Sequence, residues 1–88
     1  MEKKVKVLAF FANWCRGCDA MRNDFYAEAR RTGISYDVID VDSEEGALQS
    51  IKYEVKNVPT LVFIKKGKVI GRSKGNQSYL DIERFAKK

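Results

Sequence analysis

The chain has 88 residues, of which 44% are hydrophobic and 33% charged, with a formal net charge of +5. That length and balance predict one small globular domain, 1–88, with a modest core. No apolar stretch approaches the roughly 20 residues needed to cross a bilayer. The start, Met1-Glu2-Lys3-Lys4, leads straight into strand-like sequence and shows no signal-peptide pattern, so a cytoplasmic chain is expected.

Residues 4–12 read as a buried strand carrying Val5, Val7, Leu8, Phe10 and Phe11. Residues 15–31 read as a helix, because Cys18, Met21, Phe25 and Ala29 recur at helical spacing and Gly33 follows as a stop. Residues 34–41 form a second strand. Residues 44–55 form a second helix, with Ser43 as its cap and Leu48, Ile51 and Val55 as its apolar stripe. Residues 60–64 are a third strand, rich in β-branched and aromatic side chains. Lys66-Gly67 marks a tight hairpin into a fourth strand, 68–72. A last helix, 78–86, turns Ile82, Phe85 and Ala86 inward. Met21, Phe25 and Phe63 are read as core; Tyr26, Tyr36, Tyr53 and Tyr79 receive no role. The order β-α-β-α-β-β-α predicts a parallel first pair and an antiparallel last pair. The expected architecture is an α/β, mixed four-stranded sheet flanked by three helices on both faces.

Charge is uneven along the chain. Residues 1–51 carry seven Lys/Arg against nine Asp/Glu, a net of −2, while residues 52–88 carry ten against three, a net of +7. The plain reading is a solvated basic surface, and the sharper one a surface that steers acidic protein partners. No tight basic cluster is interleaved with aromatics, so neither nucleic acid nor membrane is an expected partner.

The chemistry gathers at Trp14-Cys15-Arg16-Gly17-Cys18, which holds the only two cysteines. They lie at a strand-to-helix junction, at the carboxyl end of the first strand, where sites in such sheets collect. A helix start offers unpaired N–H groups and the positive end of a dipole, and both favour thiolate over thiol. Positions i and i+3 share a helix face, so the second sulfur can reach the first. A structural zinc site wants four ligands, usually Cys or His; with two Cys and no His, one chain offers only half a site, to be completed by a dimer or by carboxylates. Redox chemistry is therefore the better reading, with no metal and no cofactor called for.

These residues resemble the thioredoxin family over nearly the whole chain. Phe11-Ala12-Asn13-Trp14-Cys15-Arg16-Gly17-Cys18 is similar to the family's active-site segment. Val58-Pro59-Thr60 is similar to its cis-proline loop, Gly67 to its hairpin glycine, and Gly75 to the glycine before its last helix. Composition alone would leave Pro59 an ordinary trans proline; the resemblance implies cis. It also implies a thioredoxin-like fold, shorter at the start by one strand and one helix. The implied function is a protein-disulfide reductase in which Cys15 attacks a substrate disulfide and Cys18 resolves the mixed disulfide. Trp14, Val58, Pro59 and Gly75 would bind substrate. Arg16, Gly17 and Asp19 would tune the pair, Arg16 favouring the thiolate and Asp19 opposing it. Partners would be disulfide-containing proteins, with a thioredoxin reductase or glutathione as electron donor and the chain acting as a monomer. The alternatives are a glutaredoxin-like glutathione-dependent reductase, a non-catalytic binding module on the same fold, and metal transfer by the Cys pair.

Three departures from the family pattern stand out. Arg16-Gly17 replaces the usual Gly-Pro between the cysteines, which loosens the first helical turn. Ala9 stands where the family has a buried Asp held to relay a proton to the second cysteine. Val38 stands where that Asp has its Lys neighbour. Losing both together leaves no single charge stranded in the interior, and slower resolution by Cys18 is expected.

Overall fold

The computed structural model describes residues 4–75 and 77–87; the start, 1–3, on which the signal-peptide reading turned, lies outside them. The elements are β1 (Val5–Phe11), α1 (Arg16–Thr32), β2 (Ser35–Asp40), α2 (Glu44–Lys52), β3 (Thr60–Lys65), β4 (Lys68–Lys74), a single 3-10 turn (Ser78–Asp81) and α3 (Ile82–Ala86). The sheet order is β2-β1-β3-β4. β1 runs parallel to β2 and antiparallel to β3, and β3 runs antiparallel to β4. This is the mixed four-stranded sheet that the apolar pattern predicts.

β1 is buried almost throughout because both of its faces are covered. Val5, Val7, Ala9 and Phe11 join Leu61 and Phe63 of β3 in a core closed by α1 and α3. Leu8, Phe10 and Val62 point the other way, into a thinner core with Tyr53 and Val55 at its edge. In α1 the buried stripe is Cys18, Met21, Phe25 and Ala29, as the spacing predicts. Gly33 ends that helix at φ 74°, donating its N–H to the Ala29 carbonyl at 2.9 Å. Lys66 and Gly67 both take positive φ, 55° and 80°, which suits the two central residues of a tight hairpin. β3 and β4 shift register between Phe63 and Ile64. There Gly71 leaves room for the Phe85 ring, which a Cβ at position 71 would strike. That ring stacks on Phe63 with centroids 4.1 Å apart.

Two expectations are corrected. The second helix ends at Lys52 rather than at Val55, and Leu48 and Ile51 point to solvent, 68% and 75% exposed. The helix approaches the sheet through Gly46, where a side chain would collide with the Asp40 carbonyl. That close approach turns the Gly46, Gln49, Ser50 and Tyr53 side of the helix inward, and Leu48 and Ile51 fall on the opposite side. The last helix is also broken. Its first turn is 3-10, with the Leu80 N–H reaching the Gln77 carbonyl at 3.0 Å, before Ile82 and Phe85 are buried in α3.

α1 and α3 are tied by Arg31, which bonds Glu28 at 2.8 Å and Glu83 at 2.9 Å. The guanidinium, with some help from Lys87, holds the Glu83 carboxyl below its ordinary pKa. A carboxylate depressed in this way stabilises the fold above its unfolded pKa, and the contribution fades as pH falls through its folded value. Glu83→Gln is therefore expected to lower the urea midpoint slightly near neutral pH. The difference should vanish once Glu83 is protonated. A midpoint difference that grows on acidification would contradict the assignment. The tie is solvent-exposed, so salt should also weaken it.

Candidate active site

The site is built where β1 ends. The chain turns through Ala12, Asn13 and Trp14 and enters α1 with Cys15 as its N-cap. Cys15 keeps an extended backbone, φ −95° and ψ 113°, and its N–H bonds the Ala12 carbonyl at 3.2 Å. Its sulfur accepts the Cys18 backbone N–H at 3.1 Å, so it takes the place of a capping oxygen. The Cα atoms of Cys15 and Cys18 lie 5.2 Å apart and the two sulfurs are bonded. Cys15 is 8% exposed and Cys18 is fully buried. Access from outside therefore favours Cys15, and an N–H that now meets a disulfide sulfur would meet a thiolate after reduction.

Opposite the pair's segment, the Val58–Pro59 bond is cis, as the resemblance implies. The loop is fixed from several sides. Thr60 Oγ1 donates to the Asn57 carbonyl at 2.6 Å, and the Gly75 N–H donates to the Pro59 carbonyl at 3.0 Å. Gly75 adopts φ 97°, a region open to glycine. Its own carbonyl accepts the Ser78 hydroxyl at 2.7 Å, and Ser78 Oγ also lies 3.2 Å from Met21 Sδ in the stripe that includes Cys18. Pro59, Gly75 and α1 are thus joined through one buried serine. Sequence reading missed Ser78, treating it only as the start of a helix. Its signal is that it and Thr60 are the two buried polar side chains among the described residues.

Trp14, 69% exposed, and Val58 line one groove of about 450 Å³ with Ile51 and Val55. Val58 also packs against the core that holds both cysteines. Arg16 is exposed on the first turn of α1 and Gly17 is half-buried beside it. Asp19 turns to Arg22, 3.7 Å away. Ala9 and Val38 are direct neighbours across β1 and β2. Ala9 is fully buried in the same core as Cys18, and Val38 is 39% exposed. Among the described residues no three His, Cys, Asp or Glu side chains gather to hold a metal ion.

A disulfide-forming pair at the mouth of a helix, on a mixed sheet with a cis-proline loop at the same end, defines a dithiol protein of thioredoxin-like fold. The chain belongs to the thioredoxin family, whose model matches residues 1–88. It is 37% identical over 75 residues to thioredoxin-1 of Caenorhabditis elegans, an alignment covering 83% of this chain and 63% of that one. To thioredoxin H5 of Arabidopsis thaliana it is 36% identical over 74 residues, covering 83% and 61%. The chain therefore spans a little over three fifths of the length of these two curated relatives. The solved thioredoxin of Fasciola hepatica superposes with a TM-score of 0.83 at 32% identity, covering 98% of this chain and 82% of that one.

Proposed function

We propose that this chain is a thiol–disulfide oxidoreductase that reduces protein disulfides through Cys15 and Cys18. The observation that carries the reading is the asymmetry of the bonded pair: one sulfur caps a helix and belongs to a residue that keeps a small exposure of 8%, and the other lies fully buried one turn on. Cys15 thiolate attacks one sulfur of a substrate disulfide, and the other substrate sulfur leaves as thiolate. Cys18 thiolate then attacks Cys15 Sγ and expels the second substrate sulfur. Two electrons pass to the substrate and the pair is left oxidised, to be reduced by a thioredoxin reductase or by glutathione. Trp14 and Val58 would hold the substrate chain, with Val58 pairing to its backbone and Pro59 and Gly75 fixing the loop. A reducing compartment such as the cytoplasm and a monomeric state belong to the same proposal.

The test is reduction of insulin with dithiothreitol as donor, read as turbidity. Activity well above the dithiothreitol background is expected, and none would reject the enzyme reading in favour of a binding module. The redox equilibrium against glutathione sets direction: a strongly reducing value fits a reductase, a mildly oxidising one an oxidase or isomerase. With Ala9 and Val38 side by side in place of an acid–base pair, Cys18 must lose its proton to water or another carboxylate. Stopped-flow reduction of a model disulfide should therefore show slower resolution than in a thioredoxin carrying the Asp–Lys pair. Matching rates across pH would refute that expectation.

A further inference from the structure

A second groove, of about 350 Å³, opens between the α2–β3 loop and β4. Lys56, Arg72 and Lys74 line it, with Asn57, Thr60 and a single carboxylate, Glu54. Sheet register brings the cations there: Lys74 lies opposite Thr60, and Arg72 opposite Val62, so both stand on the α2 face of the sheet. Arg72 Nη1 donates to the Tyr53 carbonyl at the end of α2, which anchors the guanidinium and leaves it four further N–H donors. Among the described residues none of these three cations makes an ion pair. Lys56 and Asn57 also line the groove of Trp14 and Val58, so the basic groove continues directly from the candidate substrate site.

We propose that this groove selects the disulfide-bearing partner by binding acidic side chains near its reactive disulfide, so the preferred substrates carry Asp or Glu on the flanks of that bond. The proposal rests on the disulfide-exchange reading for its role in turnover, while binding alone reports on the groove. Lys56 is two residues from Val58, about 7 Å along an extended chain. An acidic residue two or more positions from the substrate cysteine would meet it. Opposite charge across an interface favours encounter and register, and salt weakens both.

Binding is measured first, without redox chemistry. Fluorescence of Trp14, the only tryptophan, is titrated with a cysteine-free acidic peptide, its lysine counterpart and a single-stranded oligonucleotide of equal charge. At low ionic strength the acidic peptide should bind about tenfold tighter than the lysine peptide, falling to about twofold in high salt. Lys56→Glu combined with Lys74→Glu should reverse the preference; both side chains are exposed. Disulfide peptides with the same two kinds of flank should show the same order of reduction rates. Equal binding of the two peptides, a preference that survives the double substitution, or tighter binding of the oligonucleotide would overturn the proposal. If the binding preference holds and neither disulfide peptide is reduced, the groove stands and the oxidoreductase reading falls.

Discussion

Cys15→Ser should reduce insulin no faster than the dithiothreitol background, a loss on the order of a thousandfold or more, because the one remaining thiol, Cys18, is fully buried and out of reach of a substrate disulfide. Cys18→Ser should behave differently. It keeps the sulfur that caps α1 and loses the one that is fully buried. Attack then proceeds and resolution does not, so the variant should accumulate as a mixed disulfide, visible as the added mass of one substrate chain. The N-cap geometry gives the reason for this order. The Cys18 N–H that bonds Cys15 Sγ at 3.1 Å is a backbone donor and survives the Cys18→Ser change. A Cys15→Ser protein that still reduces insulin, or a trapped adduct on Cys15→Ser rather than on Cys18→Ser, would reverse the roles.

The largest stability effect is expected at Phe25. It is fully buried and ringed by aromatics: Phe11 at 5.9 Å, Tyr26 at 5.6 Å and Tyr36 at 5.4 Å between centroids. Removing a buried Phe ring costs about 3–5 kcal/mol, part lost transfer energy and part cavity. A chain of this length holds only about 4–13 kcal/mol in total, so Phe25→Ala should leave little of the fold's stability. Leu48→Ala and Ile51→Ala are the matched controls. Both side chains are mostly in water, and each should shift stability by no more than about 0.5 kcal/mol. Urea unfolding of the three variants decides the matter. Comparable midpoint losses at position 25 and on α2 would mean that the helix stripe is misassigned.

The contrast between those positions also shows what was legible in the sequence. The stripe of α1 and the burial of β1 follow from periodicity, and both are found. The Cys15–Cys18 pair and the cis Val58–Pro59 loop follow from local motifs, which carry their geometry within a few residues. α2 was misread because Leu48 and Ile51 look like core. Their exposure is decided by Gly46, whose missing Cβ lets the other side of the helix settle on Asp40. The broken last helix depends on Ser78 reaching back to Gly75 and across to Met21. The groove of Lys56, Arg72 and Lys74 exists only through strand register. Sequence showed the basic excess of residues 52–88 and not the place where part of it converges. Tyr26 and Tyr36, given no role from sequence, support the Phe25 ring.

The two faces of the sheet are unequal. α1 and α3 close a deep core around one side, while α2 rests on a thin cluster of Leu8, Phe10 and Val62 on the other. Segments with few buried apolar contacts open at lower free energy than the rest of a domain. Amide protons of α2 should accordingly exchange with solvent well before those of β1 and the middle of α1. Both sulfurs belong to the core on the side that should open last, so their spacing should survive fluctuations that reshape the Trp14 and Val58 groove.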